Sequence, residues 1–112
     1  MGQPDWVDLG AVEDLQNPPV RTVRVGRLQL AVSYLDGRFG VISNVCNHVG
    51  GPLGEGRLDG EYVVCPWHAY KFHFATGLGE PGFEEDKVPG YETQIEGGRL
   101  LVNLASATKR NK

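Results

Sequence analysis

Cys46-Asn47-His48 and Cys65-Pro66-Trp67-His68 are the two places in this chain where side chains able to bind a soft metal come in pairs. Together they hold both cysteines and two of the three histidines. A thiolate and a neutral imidazole from each segment make a four-ligand metal site of the sulfur and nitrogen type. Zinc accepts such a set. So does a two-iron, two-sulfide cluster in which a pair of histidines replaces a pair of cysteines on one iron. A disulfide or two buried free thiols would explain neither the adjacent histidines nor the glycines beside them.

The surroundings help to discriminate. Zinc sites more often open with two cysteines in one short knuckle, whereas here each segment carries one Cys and one His. The runs Cys46-Asn47-His48-Val49-Gly50-Gly51-Pro52-Leu53 and Cys65-Pro66-Trp67-His68-Ala69-Tyr70-Lys71-Phe72, the latter followed by Thr76-Gly77, fit a joint pattern of C-x-H-x-G-G-P-L and C-P-x-H-x-x-x-F-x-x-x-T-G. In these two boxes the chain closely resembles the Rieske [2Fe–2S] proteins, of the ferredoxin type that serves ring-hydroxylating oxygenases. The resemblance runs from about Trp6 to Leu104, through Asp36-Gly37-Arg38-Phe39 and a closing Gly97-Gly98 hairpin. It implies one [2Fe–2S] cluster per subunit, with Cys46, His48, Cys65 and His68 as ligands. If both cysteines bind one iron and both histidines the other, each loop must clamp both ends of the cluster. A zinc-stabilised interaction module remains the alternative.

Replacing two thiolates by two imidazoles raises the potential above that of all-cysteine clusters, into a range of about −150 to +300 mV. High-potential relatives carry an extra disulfide, plus a Ser and a Tyr whose hydroxyls bond to sulfur. The resemblance matches those positions here to Gly51, Trp67, Tyr70 and Phe72. Phe72 has no hydroxyl, and the bulk of Tyr70 is a poor substitute for serine. Fewer hydrogen bonds to sulfur disfavour the more negative reduced state, so the low end of the range is expected. Ala69 stands where the family often has Gly, and a negative φ is expected there. On strand alternation His73 points away from Phe72 and Phe74, as a surface or supporting residue rather than a ligand. Trp67 either lines the cluster tip and aids docking or packs against the other loop.

At 112 residues, with 40% apolar content and 16 Gly, the chain reads as one turn-rich domain. A formal charge of −3 argues against non-specific nucleic-acid binding and against an anionic membrane surface. No run is long and apolar enough to span a membrane, and no signal peptide is expected. With both cysteines used as ligands, none remain for disulfides, which fits the cytoplasm.

The elements that must hold these loops are strands. Trp6 to Leu9 alternates weakly, and Val12 to Gln16 fits one helical turn before Asn17-Pro18-Pro19. Strands are expected at 20–25, 28–34 and 39–43, with turns at Gly26-Arg27 and Asp36-Gly37. Gly50, Gly51, Gly54 and Gly56 mark an irregular loop in which backbone approaches something closely, with cluster sulfurs as the expected neighbour. Short strands are expected at 61–64 and 70–74, an exposed loop at 79–90, and a hairpin at 91–103. The acidic run Glu84-Glu85-Asp86 reads as a solvated loop, with steering of a basic partner as the alternative. The fold class is therefore all-β: stacked antiparallel sheets with an inserted two-loop subdomain at about 45–77. Residues 1–104 form the domain and 105–112 a flexible tail.

The resemblance implies a soluble electron carrier rather than an enzyme, taking electrons from a flavoprotein reductase and passing them to a terminal oxygenase or similar acceptor. Once His48 and His68 are used, His73 alone remains, too few for the mononuclear iron of an oxygenase. A small Rieske-like subunit of a larger reductase, such as nitrite reductase, is the alternative from another class.

Overall fold

The computed structural model describes residues 5–45, 52–67, 69–83 and 87–106. Among the described residues nine strands run in chain order: β1 (Trp6–Ala11), β2 (Val20–Val25), β3 (Leu28–Leu35), β4 (Arg38–Ser43), β5 (Arg57–Asp59), β6 (Tyr62–Val64), β7 (Lys71–His73), β8 (Gly90–Glu96) and β9 (Arg99–Asn103). They form a six-stranded sheet in the order β1-β9-β8-β4-β3-β2 and a three-stranded sheet β5-β6-β7. Every pairing is antiparallel. Among the described residues, no helix is long and apolar enough to cross a membrane.

Turn chemistry sets the register. Asp36 and Gly37 both adopt positive φ, at 49° and 83°, the geometry of a two-residue hairpin turn matched to strand twist. It pairs Leu35 with Arg38 and Leu30 with Ser43. A 3-10 turn at Val12–Leu15 follows β1, as the sequence suggests.

β3 and β4 are buried on both faces, because successive side chains point to opposite sides of a strand. Leu30, Val32 and Val41 enter a core with Leu15, Leu100 and Val102. Ala31 and Ile42 enter a second core with Val63 and Phe72 of the small sheet, and with Leu53, Cys65, Phe74 and Val88 from the connections. The small sheet is thus seated on the β2-β3-β4 face. The seam is tight at Gly40, where a β-carbon would overlap the Phe74 backbone. Beside it, Arg38 lies 5.2 Å over the Phe74 ring, a cation–π contact.

Three expectations need correction. Residues 57–59, for which no strand is expected from the sequence, form strand β5. The 79–90 segment is only partly an exposed loop. Pro81, Gly82 and Phe83 are exposed, but Gly79 and Gly90 are buried and Val88 is a core residue at 1% exposure. Backbone bonds from His73 N–H to the Leu78 carbonyl (2.7 Å) and from Val88 N–H to the Gly77 carbonyl (2.9 Å) fasten this segment beside β7. A single Val among prolines and acids gave no periodic signal. The acidic run 84–86 lies outside the described residues. Finally, Ala105 and Ser106 are tied down. The Ser106 hydroxyl donates to the Asn103 carbonyl at 2.6 Å and accepts the Glu92 N–H at 2.8 Å. Residues 107–112 lie outside the described residues.

Candidate metal centre

The two segments that carry the expected ligands are held at their stems. The first spans the gap between Asn44-Val45 and Pro52-Leu53. Val45 bridges Pro52, and the Leu53 N–H donates to the Asn44 carbonyl at 2.7 Å. A 3-10 turn, Leu53–Glu55, leads out of it. Cys46, His48, Gly50 and Gly51 lie outside the described residues, as does His68.

The second loop grows directly out of the core. Cys65 follows β6, is 1% exposed, and packs with Phe72 and Leu53. Its thiol is free. Its N–H donates to the Tyr70 carbonyl at 2.8 Å, and its carbonyl accepts the Ala69 N–H at 2.9 Å. These two bonds close the turn that carries Pro66, Trp67 and His68. Closure this tight requires a left-handed residue, and Ala69 supplies it at φ +63°. The expectation of a negative φ at Ala69 is therefore wrong. The conformation that glycine adopts freely is imposed here on an L-residue by the two flanking hydrogen bonds.

Gly54 and Gly56 also correct an expectation. Their N–H groups go to Asn44 Oδ1 and to the Leu53 carbonyl rather than toward cluster sulfur, and protein crowds them. A β-carbon on Gly54 would stand 2.6 Å from the Thr22 nitrogen and 2.7 Å from Asn44 Oδ1. One on Gly56 would overlap the Val64 carbonyl oxygen. The exit of the first loop is thereby pressed onto the entrance of the second.

Between them opens a hollow of about 560 Å³, lined by Glu55, Gly56, Arg57, Val64, Cys65, Pro66, Trp67 and Ala69. Trp67 lines its edge and is 59% exposed. A soft sulfur donor rooted in the core and bordering an open hollow suits a metal–sulfur group. Of the four expected ligands Cys65 is the described one, and its setting fits a [2Fe–2S] cluster.

Sequence patterning missed Asn44, a buried polar residue at 2% exposure whose side-chain oxygen accepts the Gly54 N–H at 2.5 Å. Its only sequence signal is a polar residue ending an apolar strand just ahead of the first cysteine.

Behind the second loop, charges are paired. Lys71 Nζ lies 3.1 Å from Asp59 and 3.9 Å from Glu80. Asp59, by hydrogen bond and charge, and then Glu80 raise the Lys71 pKa. His73 is half-buried beside the core residue Phe72, as the alternation suggests, but the chain leaves the strand after it and its ring stacks on that of Phe74 at 5.2 Å. Its Nδ1 accepts the N–H groups of Ala75 (3.1 Å) and Thr76 (3.3 Å). The ring proton is then on Nε2, which donates to Glu61 Oε1 at 3.0 Å. The hydrogen bond from His73 is the first cause, and Arg38 the second, that lowers the Glu61 pKa.

The family described as Rieske [2Fe-2S] domain matches residues 5–92. The chain is 33% identical to ferredoxin CarAc of Metapseudomonas resinovorans over 87% of its own length and 92% of the relative's. It is 27% identical to the ferredoxin component of the naphthalene 1,2-dioxygenase system of Pseudomonas aeruginosa, over 89% and 96% of the two chains. Among solved structures it is similar to a chain in the complex of reduced oxygenase and oxidized ferredoxin in carbazole 1,9a-dioxygenase. That match has 30% identity and a TM-score of 0.77, and covers 88% of this chain and 92% of that one. A model matching most of the chain and a relative at this identity over nearly its full length place this protein in the Rieske [2Fe–2S] domain family.

Proposed function

We propose that this protein is a Rieske ferredoxin, a one-electron carrier between a flavoprotein reductase and a terminal oxygenase or similar acceptor. When bound, the [2Fe–2S] cluster takes up and releases one electron at a time. Cys46 and Cys65 would hold one iron and His48 and His68 the other. The observation that carries the reading is Cys65: a free thiol seated in the core beside an open hollow, in a loop closed by its own backbone. The cluster-binding subdomain would span about 45–77 within a domain of residues 1–104. Cytoplasmic placement fits the use of both cysteines as ligands.

The role of carrier rather than enzyme follows from the histidines. His73 is committed to Glu61, Ala75 and Thr76, so it is not free to hold a second iron. The named relatives are ferredoxins of dioxygenase systems, and the chain spans nearly their whole length. That favours a separate carrier over a reductase subunit. Trp67, exposed at the edge of the hollow, offers an apolar contact to a redox partner. Phe72, in the core at 0% exposure, brings no hydroxyl to sulfur, which supports the low end of the potential range.

The test is anaerobic reconstitution with iron and sulfide, then optical and EPR spectra before and after reduction. A coloured protein with the low-g EPR signal of the family is expected, and Cys65→Ala should lose it. A colourless protein holding stoichiometric zinc would end this reading.

A further inference from the structure

We infer that Asn44 is the residue that positions the first ligand loop, and with it Cys46 and His48. The inference rests on the ligand assignment proposed above. Asn44 joins four pieces of chain. Its N–H donates to the Gln29 carbonyl on β3 at 2.9 Å, and its carbonyl accepts the Leu53 N–H at 2.7 Å. Its side-chain oxygen accepts the Gly54 N–H at 2.5 Å and the Thr22 hydroxyl, from β2, at 3.2 Å. Its side-chain amide donates to Gln29 Oε1 at 3.3 Å. One side chain thus locks the exit of the loop, at Gly54, to the two strands beneath, while its own backbone forms the entrance.

The residue type matters because a short side chain must present an oxygen to two donors, Gly54 and Thr22, from that point. Aspartate would keep both acceptor contacts, and Gln29 can turn its own amide to donate in return. Alanine keeps none, and leaves the Gly54 N–H unpaired in a dry setting. A shift of Gly54 into the space is opposed by Thr22, against which it already lies. Removing the anchor therefore frees the loop end rather than letting it settle. Groups that orient ligands from behind typically change metal affinity by about 10- to 100-fold when lost.

The experiment compares wild type, Asn44→Ala, Asn44→Asp and Val102→Ala after reconstitution. Val102 is the control, since it is fully buried in the other core, away from the loop. Three quantities are read: the rate at which a chelator strips the cluster, the EPR g-values after reduction, and amide exchange at Gly54 in cluster-free protein. Asn44→Ala is expected to lose the cluster about 10- to 100-fold faster than wild type, with altered g-values and faster Gly54 exchange. Asn44→Asp should recover most of this. Val102→Ala should melt at lower temperature yet keep wild-type g-values. Loss rates and g-values in Asn44→Ala that match Val102→Ala would overturn the inference. If Asn44→Ala does not fold, Thr22→Val removes one bond to the same side chain. It should raise both the loss rate and Gly54 exchange by a smaller factor, and no change in either would overturn the inference. A wild type without the family's spectrum would instead defeat the ligand assignment, and this inference with it.

Discussion

Gly56 lies against the carbonyl oxygen of Val64 so closely that a β-carbon on Gly56 would overlap it. The φ of Gly56 is −85°, open to any residue, so the constraint is space and not backbone conformation. The neighbouring pair Arg57 and Val64 continues the contact as a strand pairing. This is the point at which the two loop-bearing segments meet, one residue before Cys65.

Gly56→Ala should therefore part β5 from β6 beside the proposed ligand. A loss of about 1–3 kcal/mol is expected, the usual cost of overpacking, together with weaker cluster retention. Urea unfolding and the ratio of visible to ultraviolet absorbance measure both. A variant as stable and as coloured as the parent would contradict the packing.

Ala69 occupies the left-handed region at φ +63°. The penalty for an L-residue there is about 1–2 kcal/mol, partly offset by the lower entropy of Ala in the unfolded chain. Ala69→Gly is expected to gain up to about 1 kcal/mol in denaturant unfolding. Ala69→Val should lose stability, because a β-branched residue fits this region worst.

Ser33 is fully buried on β3, and its hydroxyl has no hydrogen-bond partner among the described residues. A buried unpaired hydroxyl costs free energy. Ser33→Ala should be neutral or stabilising by up to about 1 kcal/mol. A thermal melt several degrees lower would show that the hydroxyl has a role in the fold.

Glu61 has its pKa lowered below the ordinary 4.5 by the His73 hydrogen bond first and Arg38 second. The folded state therefore favours the ionised carboxylate more than the unfolded chain does. That contribution is complete above about pH 4.5 and is lost as pH falls through the lower folded-state value. Glu61→Gln should melt below the parent at neutral pH, with the gap closing in acid. Parallel melting curves from neutral pH to pH 3 would show that the pair contributes nothing. The group is solvent-exposed, so the effect is small.

Trp67 stands exposed at the edge of the hollow. Trp67→Ala should leave the optical and EPR spectra intact while weakening partner binding by more than about 1 kcal/mol, as for an aromatic anchor at an interface. Electron transfer measured over a range of acceptor concentrations reads this directly. An unchanged half-saturation point would remove Trp67 from the docking surface.

Much of this protein is legible in its sequence. The two Cys/His pairs announce a metal–sulfur site, because no other pairing in the chain offers such ligands. The alternation of 20–25 and the Asp36-Gly37 turn place the central strands and their register, since both signals are local. The half-buried setting of His73 beside the buried Phe72 also follows from alternation, whereas its stacking on Phe74 does not, because the strand ends at His73. What only the tertiary structure decided depends on contacts between distant segments. The left-handed turn at Ala69 is imposed by hydrogen bonds to Cys65 and at Tyr70 that outweigh the local preference of alanine. Gly54 and Gly56 are small because Thr22, Asn44 and Val64 crowd them, and nothing in the residues nearby says so. Val88 looks like part of a polar loop until the backbone of Gly77 fastens it over the core. Asn44 acts through residues on two other strands and on the far side of the loop. A partner brought close only by folding leaves no periodic trace in the chain.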